Sequence, residues 1–255
     1  MTSIPAHQQK IPNAKEFVEM RDEWQSALTH DEQLRSQAVE LQSAADKYMY
    51  TYQFSWLGVP IIRLPDDIVL YQELIGDIQP KAIVETGIAR GGSLVLSASL
   101  MQMFGLEPQV FGLDLQIFPH TREAISTSRY SRNIQLWEGD SASPDAAQAV
   151  KGFLAEFSEP CLLVLDSDHT HSHVFNELSL LAPLMPAGSV ILVADTLIAE
   201  MPENAYPNRE WTKELNPLSA LNEFLETNPG HYSRLDKYGR RALQTEFRDG
   251  VILKS

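Results

Sequence analysis

Ala82 to Ser93, AIVETGIARGGS, is the stretch that decides the fold. Its apolar start predicts a buried strand over 82–85, and the amphipathic stretch 93–104 predicts a helix directly after it. The glycines between them let the backbone take dihedral angles closed to other residues and approach a ligand closely. The helix N-terminus adds unpaired N–H groups and the positive end of a dipole. This strand–turn–helix unit therefore predicts a ligand site at the turn.

The same alternation of apolar and amphipathic stretches continues along the chain. Further predicted strands lie at 110–114, 134–140, 161–166 and 190–195. Further predicted helices lie at 144–157 and 172–184. The strands are nearly continuous in Val, Ile and Leu, as in a parallel sheet covered on both faces. Strands that alternate with helices indicate βαβ units and a doubly wound α/β fold.

The C-terminal part has a different pattern. After a predicted helix at 217–227, the segments 231–238, 242–247 and 250–255 have the composition of final strands. Strands this close in sequence, without a crossover helix, pair antiparallel. We expect a mostly parallel, seven-stranded, Rossmann-like sheet with an antiparallel C-terminal strand. We predict that the chain consists of an N-terminal helical extension (1–58) and the main domain (59–255).

Composition excludes several classes of protein. The 255 residues carry a formal net charge of −14 and a single cysteine, Cys161. An acidic chain of this kind is not expected to bind nucleic acid, which needs a basic surface. One cysteine allows no intrachain disulfide, and no apolar run has the length of a membrane span. We predict a cytoplasmic protein that binds no membrane, and the helical N-terminus favours a homo-oligomer.

The turn and the following strand ends predict a nucleoside cofactor. The glycines at 87, 91 and 92 depart from the G-x-G-x-x-G spacing of nicotinamide-binding turns. The form E-x-G-x-x-x-G-G-S instead resembles the first motif of class I S-adenosylmethionine-dependent methyltransferases. Asp114 can accept hydrogen bonds from ribose hydroxyls, and Asp140 or Ser141 can reach an adenine amino group. The predicted cofactor-binding residues are Glu85, Thr86, Gly87, Gly91, Ser93, Asp114, Asp140, Ser141 and Asp166.

A second site is predicted where two other strands end. Asp166 and Asp195 end strands that we expect to be adjacent, so their carboxylates should lie side by side. Close carboxylates repel unless one is protonated or a cation lies between them, and Mg²⁺ prefers oxygen ligands. His169 is predicted as the general base, because its intrinsic pKa suits proton transfer near neutrality. A zinc or iron site formed by His169, His171 and His173 is the alternative.

Five segments together resemble the cephalosporin hydroxylase family. They are FSWLGVP (54–60), LPDD (64–67), IVETGIARGGS (83–93), LDSDHTHSHV (165–174) and the loop 211–217. The resemblance covers about residues 48–250. It implies a class I methyltransferase fold, and the family includes O-methyltransferases of sugars and antibiotics.

The resemblance also implies roles for individual residues. Glu85, Gly87 and Asp114 would hold S-adenosylmethionine, and Asp166 and Asp195 would hold Mg²⁺.

One position departs from the family pattern. The family tends to show a glutamate that binds the metal where this chain has Ala194. The chain is also similar to cation-dependent catechol-type O-methyltransferases. That similarity implies Thr196 as a third metal ligand and places His169 at the position of their catalytic lysine.

We therefore predict a Mg²⁺-assisted O-methyltransferase that acts on a hydroxyl of a small molecule. The long loop 197–216, with Tyr206 and Trp211, is predicted to close over this acceptor. The alternating aromatic residues over 48–56 are interpreted as a substrate wall, a subunit interface or a packing segment. The alternative function is a cofactor-binding partner protein that assists a separate hydroxylase or oxidase. A nicotinamide-dependent oxidoreductase is disfavoured by the glycine spacing and the antiparallel tail.

Overall fold

The N-terminal part consists of two helices and a small hairpin. The computed structural model describes residues 13–202, 208–239 and 241–255. The first elements are α1 (Ala14–Thr29), α2 (Glu32–Asp46), a 3₁₀ helix (Tyr50–Gln53), β1 (Phe54–Trp56) and β2 (Val59–Ile61). The two strands pair antiparallel. The predicted boundary between 58 and 59 falls in the turn of this hairpin, and the division into two parts stays a prediction.

The main sheet has seven strands, as predicted. They are β3 (Ile83–Thr86), β4 (Val110–Asp114), β5 (Ile134–Glu138), β6 (Leu162–Leu165), β7 (Val190–Val193), β8 (Tyr232–Arg234) and β9 (Val251–Lys254). Their spatial order is β5-β4-β3-β6-β7-β9-β8. The first five are parallel neighbours, and β9 runs antiparallel to both β7 and β8. The predicted fold class is confirmed, including the antiparallel C-terminal strand.

Helices cover both faces of this sheet. They are α3 (Pro65–Ile78), α4 (Gly92–Met103), α5 (Pro119–Thr127), α6 (Pro144–Leu154), α7 (His171–Leu181), α8 (Pro217–Thr227) and the short α9 (Asp236–Gly239). Successive strand residues point to opposite faces. Ile83 accordingly packs in the cluster that includes α3, α4 and α5. Its neighbour Val84 packs in the cluster that includes α6, α7 and α8. Both faces of β3 are buried, which explains its continuous apolar sequence.

Proline starts four of these helices. Pro65, Pro119, Pro144 and Pro217 stand at the first position of α3, α5, α6 and α8. Proline is tolerated there because the first N–H of a helix has no intrahelical partner and its fixed φ suits the helix. These starts place the helices directly after the loops that follow the strand ends.

The predicted strand at 242–247 is wrong. This segment forms turns, and its backbone is held by side chains from distant elements. The Thr245 hydroxyl and the Glu246 N–H both donate to the buried carboxylate of Asp67, at the start of α3. The Glu246 carbonyl accepts from the Thr196 N–H at 3.1 Å. Because these polar groups are already paired, the segment does not join the sheet ladder.

The two N-terminal helices differ in how they contact the rest of the chain. α1, described in full, contains no buried residue, and Phe17 and Trp24 are 48% and 55% exposed. In α2, Val39 is buried against Leu197 and Met201. Arg35 pairs with Glu200 and Asp249. Thus α2 is attached beside the end of β7, while α1 buries none of its residues. Within the described residues, no helix has the length and apolar character needed to cross a membrane.

Candidate active site

One large cleft lies at the carboxyl ends of β3, β4, β6 and β7. Its volume is about 1060 Å³, and its wall includes the glycine turn, the strand ends and part of α2. In open parallel sheets, ligands bind in the crevice outside the carboxyl ends of the strands. The cleft is therefore the candidate active site.

The glycine turn forms one end of the cleft. Gly87 has φ +77°, and a Cβ built there would lie 1.9 Å from the carbonyl oxygen of Asp166. Gly91 has φ +84° and immediately precedes α4. Both positions need glycine, because a side chain would be strained at this φ and, at Gly87, would overlap the neighbouring strand end. The turn brings backbone N–H groups of the α4 N-terminus to the cleft, where Ser93 also lies.

The Asp114 carboxylate stabilises this turn by accepting hydrogen bonds from its backbone. Its Oδ2 accepts from the N–H groups of Ile88 at 2.9 Å and Ala89 at 3.2 Å, and its Oδ1 accepts from the Gln116 N–H. The side chain also lines the cleft. The structure thus shows a structural role for Asp114 that spacing alone did not reveal, and its predicted ribose contact stays a prediction.

Glu85 and Thr86 lie behind the turn. They are 1% and 0% exposed and lie outside the set of described residues that line the cleft. Burial raises the pKa of Glu85, while the Arg63 guanidinium and a hydrogen bond with Ser93 oppose that shift. Their predicted contact with the cofactor stays a prediction.

A polar group from two loops lies beyond Asp114. Asp140 and Ser141 line the cleft, as does His173 from α7. The Ser141 hydroxyl lies 3.2 Å from Nε2 of His173, whose other neighbour is Glu177 at 3.5 Å. The hydrogen bond with Glu177 raises the pKa of His173. The structure places His173 beside the predicted adenine-contacting residues.

Two carboxylates and an imidazole meet in the part of the cleft beyond Asp166, which we call the acidic end. Ligand atoms of Asp166, His169 and Asp195 all lie within 4.8 Å of one another. The parallel pairing of β6 with β7 brings Asp166 and Asp195 to the same sheet edge, as predicted. His169 Nδ1 lies 3.2 Å from Asp195 Oδ2. This donor set fits a divalent cation, because two carboxylates and one imidazole supply oxygen and nitrogen ligands at short separation.

Several acidic side chains lie close together at the acidic end of the cleft, and this changes their pKa values. Burial raises the pKa of Asp166 to about 7, and Asp195 adds to the shift while Arg63 opposes it. About a fifth of the Asp166 side chain, 20%, remains exposed to the cleft. Burial likewise raises the pKa of Glu246 well above its usual range. The group would be more stable with a further cation nearby.

The structure does not bring Thr196 to this group. Its side chain is 1% exposed, and its hydroxyl donates to the Glu246 carbonyl at 3.1 Å. The backbone reverses at Asp195, which has φ +55°, so the next side chain turns toward the interior. The sequence similarity that implied a third ligand at this position could not reveal the change of direction.

The three histidines after β6 do not converge on one point. His171 Nδ1 lies 2.7 Å from the Ser219 hydroxyl, and its Nε2 lies 2.9 Å from Glu223, so its ring joins α7 to α8. His173 contacts Ser141 at a different part of the cleft. The alternative of a three-histidine metal site is therefore not supported by the geometry.

Two functional candidates were missed in the sequence. Arg63 is buried, with its guanidinium 3.2 Å from Asp166 and 3.9 Å from Glu246. Both Arg63 and Glu246 line the cleft. A charged residue inside the apolar run VPIIRLP was the available signal for Arg63, since a buried arginine needs an acidic partner. Glu246 gave no such signal, because it lies in the segment interpreted as a strand.

The loop after β7 approaches the same end of the cleft. It begins with a 3₁₀ helix at Thr196–Glu200. Trp211 packs edge-on against the His169 ring at 5.0 Å, and the Arg209 guanidinium lies over the indole. Tyr206 falls outside the described residues. The loop's closure over an acceptor stays a prediction, and Trp211 is in position to take part.

The aromatic residues over 48–56 divide between two roles. Tyr52 lines the cleft and is 50% exposed. The Trp56 indole N–H donates to the Ser99 hydroxyl at 2.8 Å and packs the hairpin against α4. Tyr48 is 76% exposed. The segment therefore includes a cleft residue, a packing residue and an exposed residue.

Comparison with known proteins gives consistent matches. Residues 48–255 match the family model described as Rhamnosyl O-methyltransferase/CmcI. A rhamnosyl O-methyltransferase of Mycobacterium bovis (strain BCG / Pasteur 1173P2) is 29% identical over 145 residues, which cover 56% of this chain and 57% of that protein. Its counterpart in Mycobacterium leprae (strain TN) is 27% identical over 142 residues, covering 56% and 60%. The match thus spans less than two thirds of these relatives.

Solved structures show the same fold. An apo structure of CmcI aligns with a TM-score of 0.57 and 22% identity, covering 80% of this chain and 76% of that one. A structure of CmcI with Mg and SAM aligns with a TM-score of 0.54 and 21% identity, covering 80% and 77%.

Proposed function

The chain belongs to the Rhamnosyl O-methyltransferase/CmcI family, and on that premise we propose that it is an S-adenosylmethionine-dependent O-methyltransferase. The family resemblance predicted from the sequence is confirmed. The observation that carries the proposal is the single cleft that joins the glycine turn to the Asp166–His169–Asp195 group. A methyl donor at the turn and an acceptor hydroxyl at the acidic group would share one space.

The donor end binds through backbone and carboxylate groups. The turn at Gly87 and the N-terminus of α4 present N–H groups to an anionic ligand group, such as the carboxylate of the methionine moiety. Asp114 keeps the turn in place and offers its carboxylate to a ribose. Asp140 and Ser141 are positioned for the base.

The acidic end would hold the divalent cation, for which we take Mg²⁺ as the reference. When bound, S-adenosylmethionine supplies an electrophilic methyl group, and the cation lowers the pKa of the acceptor hydroxyl. Asp166 and Asp195 would hold the cation, and the His169 ring lies beside both carboxylates. Holding donor and acceptor in line within one cleft can supply a large part of the rate enhancement. The sequence predicts His169 as the group that removes the proton.

We propose a sugar hydroxyl as the acceptor, following the rhamnosyl acceptor in the relatives' name. The wall of the cleft combines polar and aromatic side chains, with Gln42 from α2, Lys47 directly after α2, Tyr52, Arg209 and Trp211. Aromatic faces and hydrogen-bonding side chains together suit a polyhydroxylated ring with apolar C–H surfaces.

The first test is binding, followed by methyl transfer. Calorimetric titration of S-adenosylmethionine and S-adenosylhomocysteine should give saturable heat, weakened in Asp114→Ala. Tritiated methyl groups should then pass to methyl rhamnoside in the presence of a divalent cation and not in its absence. Binding without transfer to rhamnosides, other sugars or catechols would favour the partner-protein alternative, and no binding of either nucleoside would refute the proposal.

We also propose that the protein is a homo-oligomer with α1 at the interface. Phe17 and Trp24 stack edge-on at 6.3 Å on a helix without buried residues, and both remain about half exposed. Light scattering should give a mass above that of one chain, and Trp24→Glu should reduce it. Glu23→Gln, a neighbour on the same helix, is the control. A single-chain mass for the unaltered protein would contradict the proposal.

A further inference from the structure

We propose that His169 is the third protein ligand of the cation site, and that the site therefore binds Mn²⁺ in preference to Mg²⁺. This inference rests on the proposed function only in assuming that a divalent cation belongs at the acidic end of the cleft. It departs from the sequence-based assignment of His169 to proton removal, because a ring nitrogen that binds a cation cannot accept the proton.

The positions of three donors carry the inference. Asp166, His169 and Asp195 each offer a ligand atom, and all of these atoms lie within 4.8 Å of one another. Ligands on one cation with bonds of about 2.1 Å are separated by roughly 3–4 Å, so the three side chains need only small adjustments. The His169 ring is placed by two neighbours, the Asp195 carboxylate at 3.2 Å and the edge-on Trp211 ring.

The chain lacks the other ligands that its relatives and analogues would suggest. Position 194, where the family tends to have a glutamate, is a buried alanine and has no donor atom in its side chain. The hydroxyl of Thr196 is paired with the Glu246 carbonyl in the interior. Of the side chains considered as a third ligand, His169 is the one that the structure brings to both aspartates.

The charges around the site call for a cation. Asp166 and Glu246 share the guanidinium of Arg63, at 3.2 Å and 3.9 Å, while Asp195 contributes a further negative charge. One arginine cannot neutralise three carboxylates that are partly removed from water. A divalent cation between Asp166 and Asp195 would offset this excess of negative charge, whether or not His169 binds it.

The chemistry of the donors then selects the cation. Mg²⁺ binds oxygen ligands and keeps several waters, whereas imidazole suits the transition metals. Mn²⁺ accepts carboxylates and also binds imidazole nitrogen. Two aspartates and one histidine therefore favour Mn²⁺, and exchanging the imidazole for a carboxylate should shift the preference back toward Mg²⁺.

The test uses Mn²⁺ as the probe with the full-length protein. Electron paramagnetic resonance measures Mn²⁺ affinity, and electron spin echo modulation detects a nitrogen bound directly to Mn²⁺. The unaltered protein should show one strongly coupled nitrogen, and Mg²⁺ should displace Mn²⁺ only when it is added in molar excess. In His169→Asp the nitrogen signal should disappear, while Mn²⁺ still binds and Mg²⁺ competes better.

His173→Gln is the matched control, since His173 lines the same cleft but contacts Ser141 and not the two aspartates. It should keep the nitrogen signal. Bound Mn²⁺ without a coupled nitrogen, a signal that persists in His169→Asp, or no Mn²⁺ binding would each overturn the inference. If His169→Asp does not fold, the unaltered protein and His173→Gln still decide whether a nitrogen is bound and whether it belongs to His173.

The same preparation separates this inference from the proposed function. Nitrogen-coupled Mn²⁺ in a protein that neither binds S-adenosylmethionine nor transfers methyl groups would refute the function and leave the site intact. Methyl transfer by a protein whose Mn²⁺ has no coupled nitrogen would support the function and overturn the assignment of His169.

Discussion

The two ends of the cleft are built in different ways. At the glycine turn, the carboxylate of Asp114 is paired with backbone N–H groups of Ile88 and Ala89, about 25 residues away. At the acidic end, Asp166 is paired with Arg63 across 103 residues, and Glu246 comes from the C-terminal part of the chain. At the turn, the carboxylate and the N–H groups satisfy one another. The acidic end, by contrast, holds more carboxylates than its positively charged side chains can balance.

The two parts of the cleft should respond differently to substitution, to added cations and to pH. Changes at the acidic end should act through unpaired buried charge and depend on cations and pH. Changes at the turn should act through backbone geometry and depend on neither.

The largest effect is expected from Arg63→Met. Loss of the guanidinium leaves Asp166 and Glu246 without their buried partner, which should lower the free energy of unfolding by about 3–5 kcal/mol. Urea unfolding measures it. Arg122→Met, which breaks the exposed pair with Glu138, is the control and should have a far smaller effect. Equal effects of the two variants would show that the buried pairing does not matter.

A somewhat smaller effect is expected from Gly87→Ala. The new Cβ would lie 1.9 Å from the Asp166 carbonyl at a φ of +77°, so the turn must shift, at a cost of about 3 kcal/mol. Calorimetry should also show loss of S-adenosylmethionine binding. Gly105→Ala separates the two causes, because Gly105 has a similar φ, +74°, but no atom within 4 Å of its added Cβ. That control should cost about 1 kcal/mol. Matching losses would mean that the close approach at Gly87 is unimportant.

Asp114→Ala should have an intermediate effect at the turn. Three N–H groups, those of Ile88, Ala89 and Gln116, lose their acceptor, and the free energy of unfolding should fall by about 1–2 kcal/mol. This loss should be the same with and without added Mn²⁺, because the hydrogen bonds of Asp114 go to the backbone of the glycine turn and of Gln116, and not to the Asp166–His169–Asp195 group. Asp140→Ala is the control and should have a smaller effect, since the exposed Asp140 carboxylate accepts from the Ala142 N–H, outside the glycine turn. If added Mn²⁺ restored the free energy of unfolding that Asp114→Ala loses, the two parts of the cleft would not be independent.

The last expected effect is a dependence of stability on pH, which arises from buried carboxyl groups and not from a substitution. Burial raises the pKa values of Asp67 and Asp166 from 3.8 to about 7. Between these values the folded protein binds more protons than the unfolded chain, so the free energy of unfolding should fall as pH rises from about 4 to about 7. Urea unfolding across this range measures the slope.

Two further measurements sharpen that pH prediction. Asp166→Asn should reduce the slope, because one of the two carboxyl groups no longer titrates. Mn²⁺ should reduce it as well, since the cation favours the ionised carboxylates. A stability that rises steadily from pH 4 to pH 7 would contradict the prediction.

Local patterns in the sequence predicted one end of the cleft better than the other. The glycine spacing after β3 and the acid at the end of β4 placed Gly87 and Asp114 at a ligand site, and both line the cleft. A strand end and the turn that follows it are neighbours in sequence, so their chemistry can be read together. Asp166 and Asp195 were placed side by side for a similar reason, because β6 and β7 are consecutive parallel strands.

The misses come from side chains that depend on distant contacts. The segment 242–247 has the composition of a strand, but Asp67 and Thr196 take its backbone hydrogen bonds. The Thr196 hydroxyl turns inward because the backbone reverses at Asp195. Local amino-acid composition reveals neither where the hydrogen bonds of this segment go nor which way the Thr196 side chain points.

By itself, the sequence determined the five parallel strands in their chain order, the antiparallel end of the sheet and the edge at which the candidate site lies. These follow from apolar periodicity, glycine and proline positions and the rule that parallel strands end at one edge. Only the tertiary structure decided that Arg63 and Glu246 join Asp166, that His169 and not Thr196 meets the two aspartates, and that α2 helps form the wall. The physical reason is that burial makes distant charges and hydrogen-bonding groups find partners, and which partners they find depends on the packed arrangement of the whole chain.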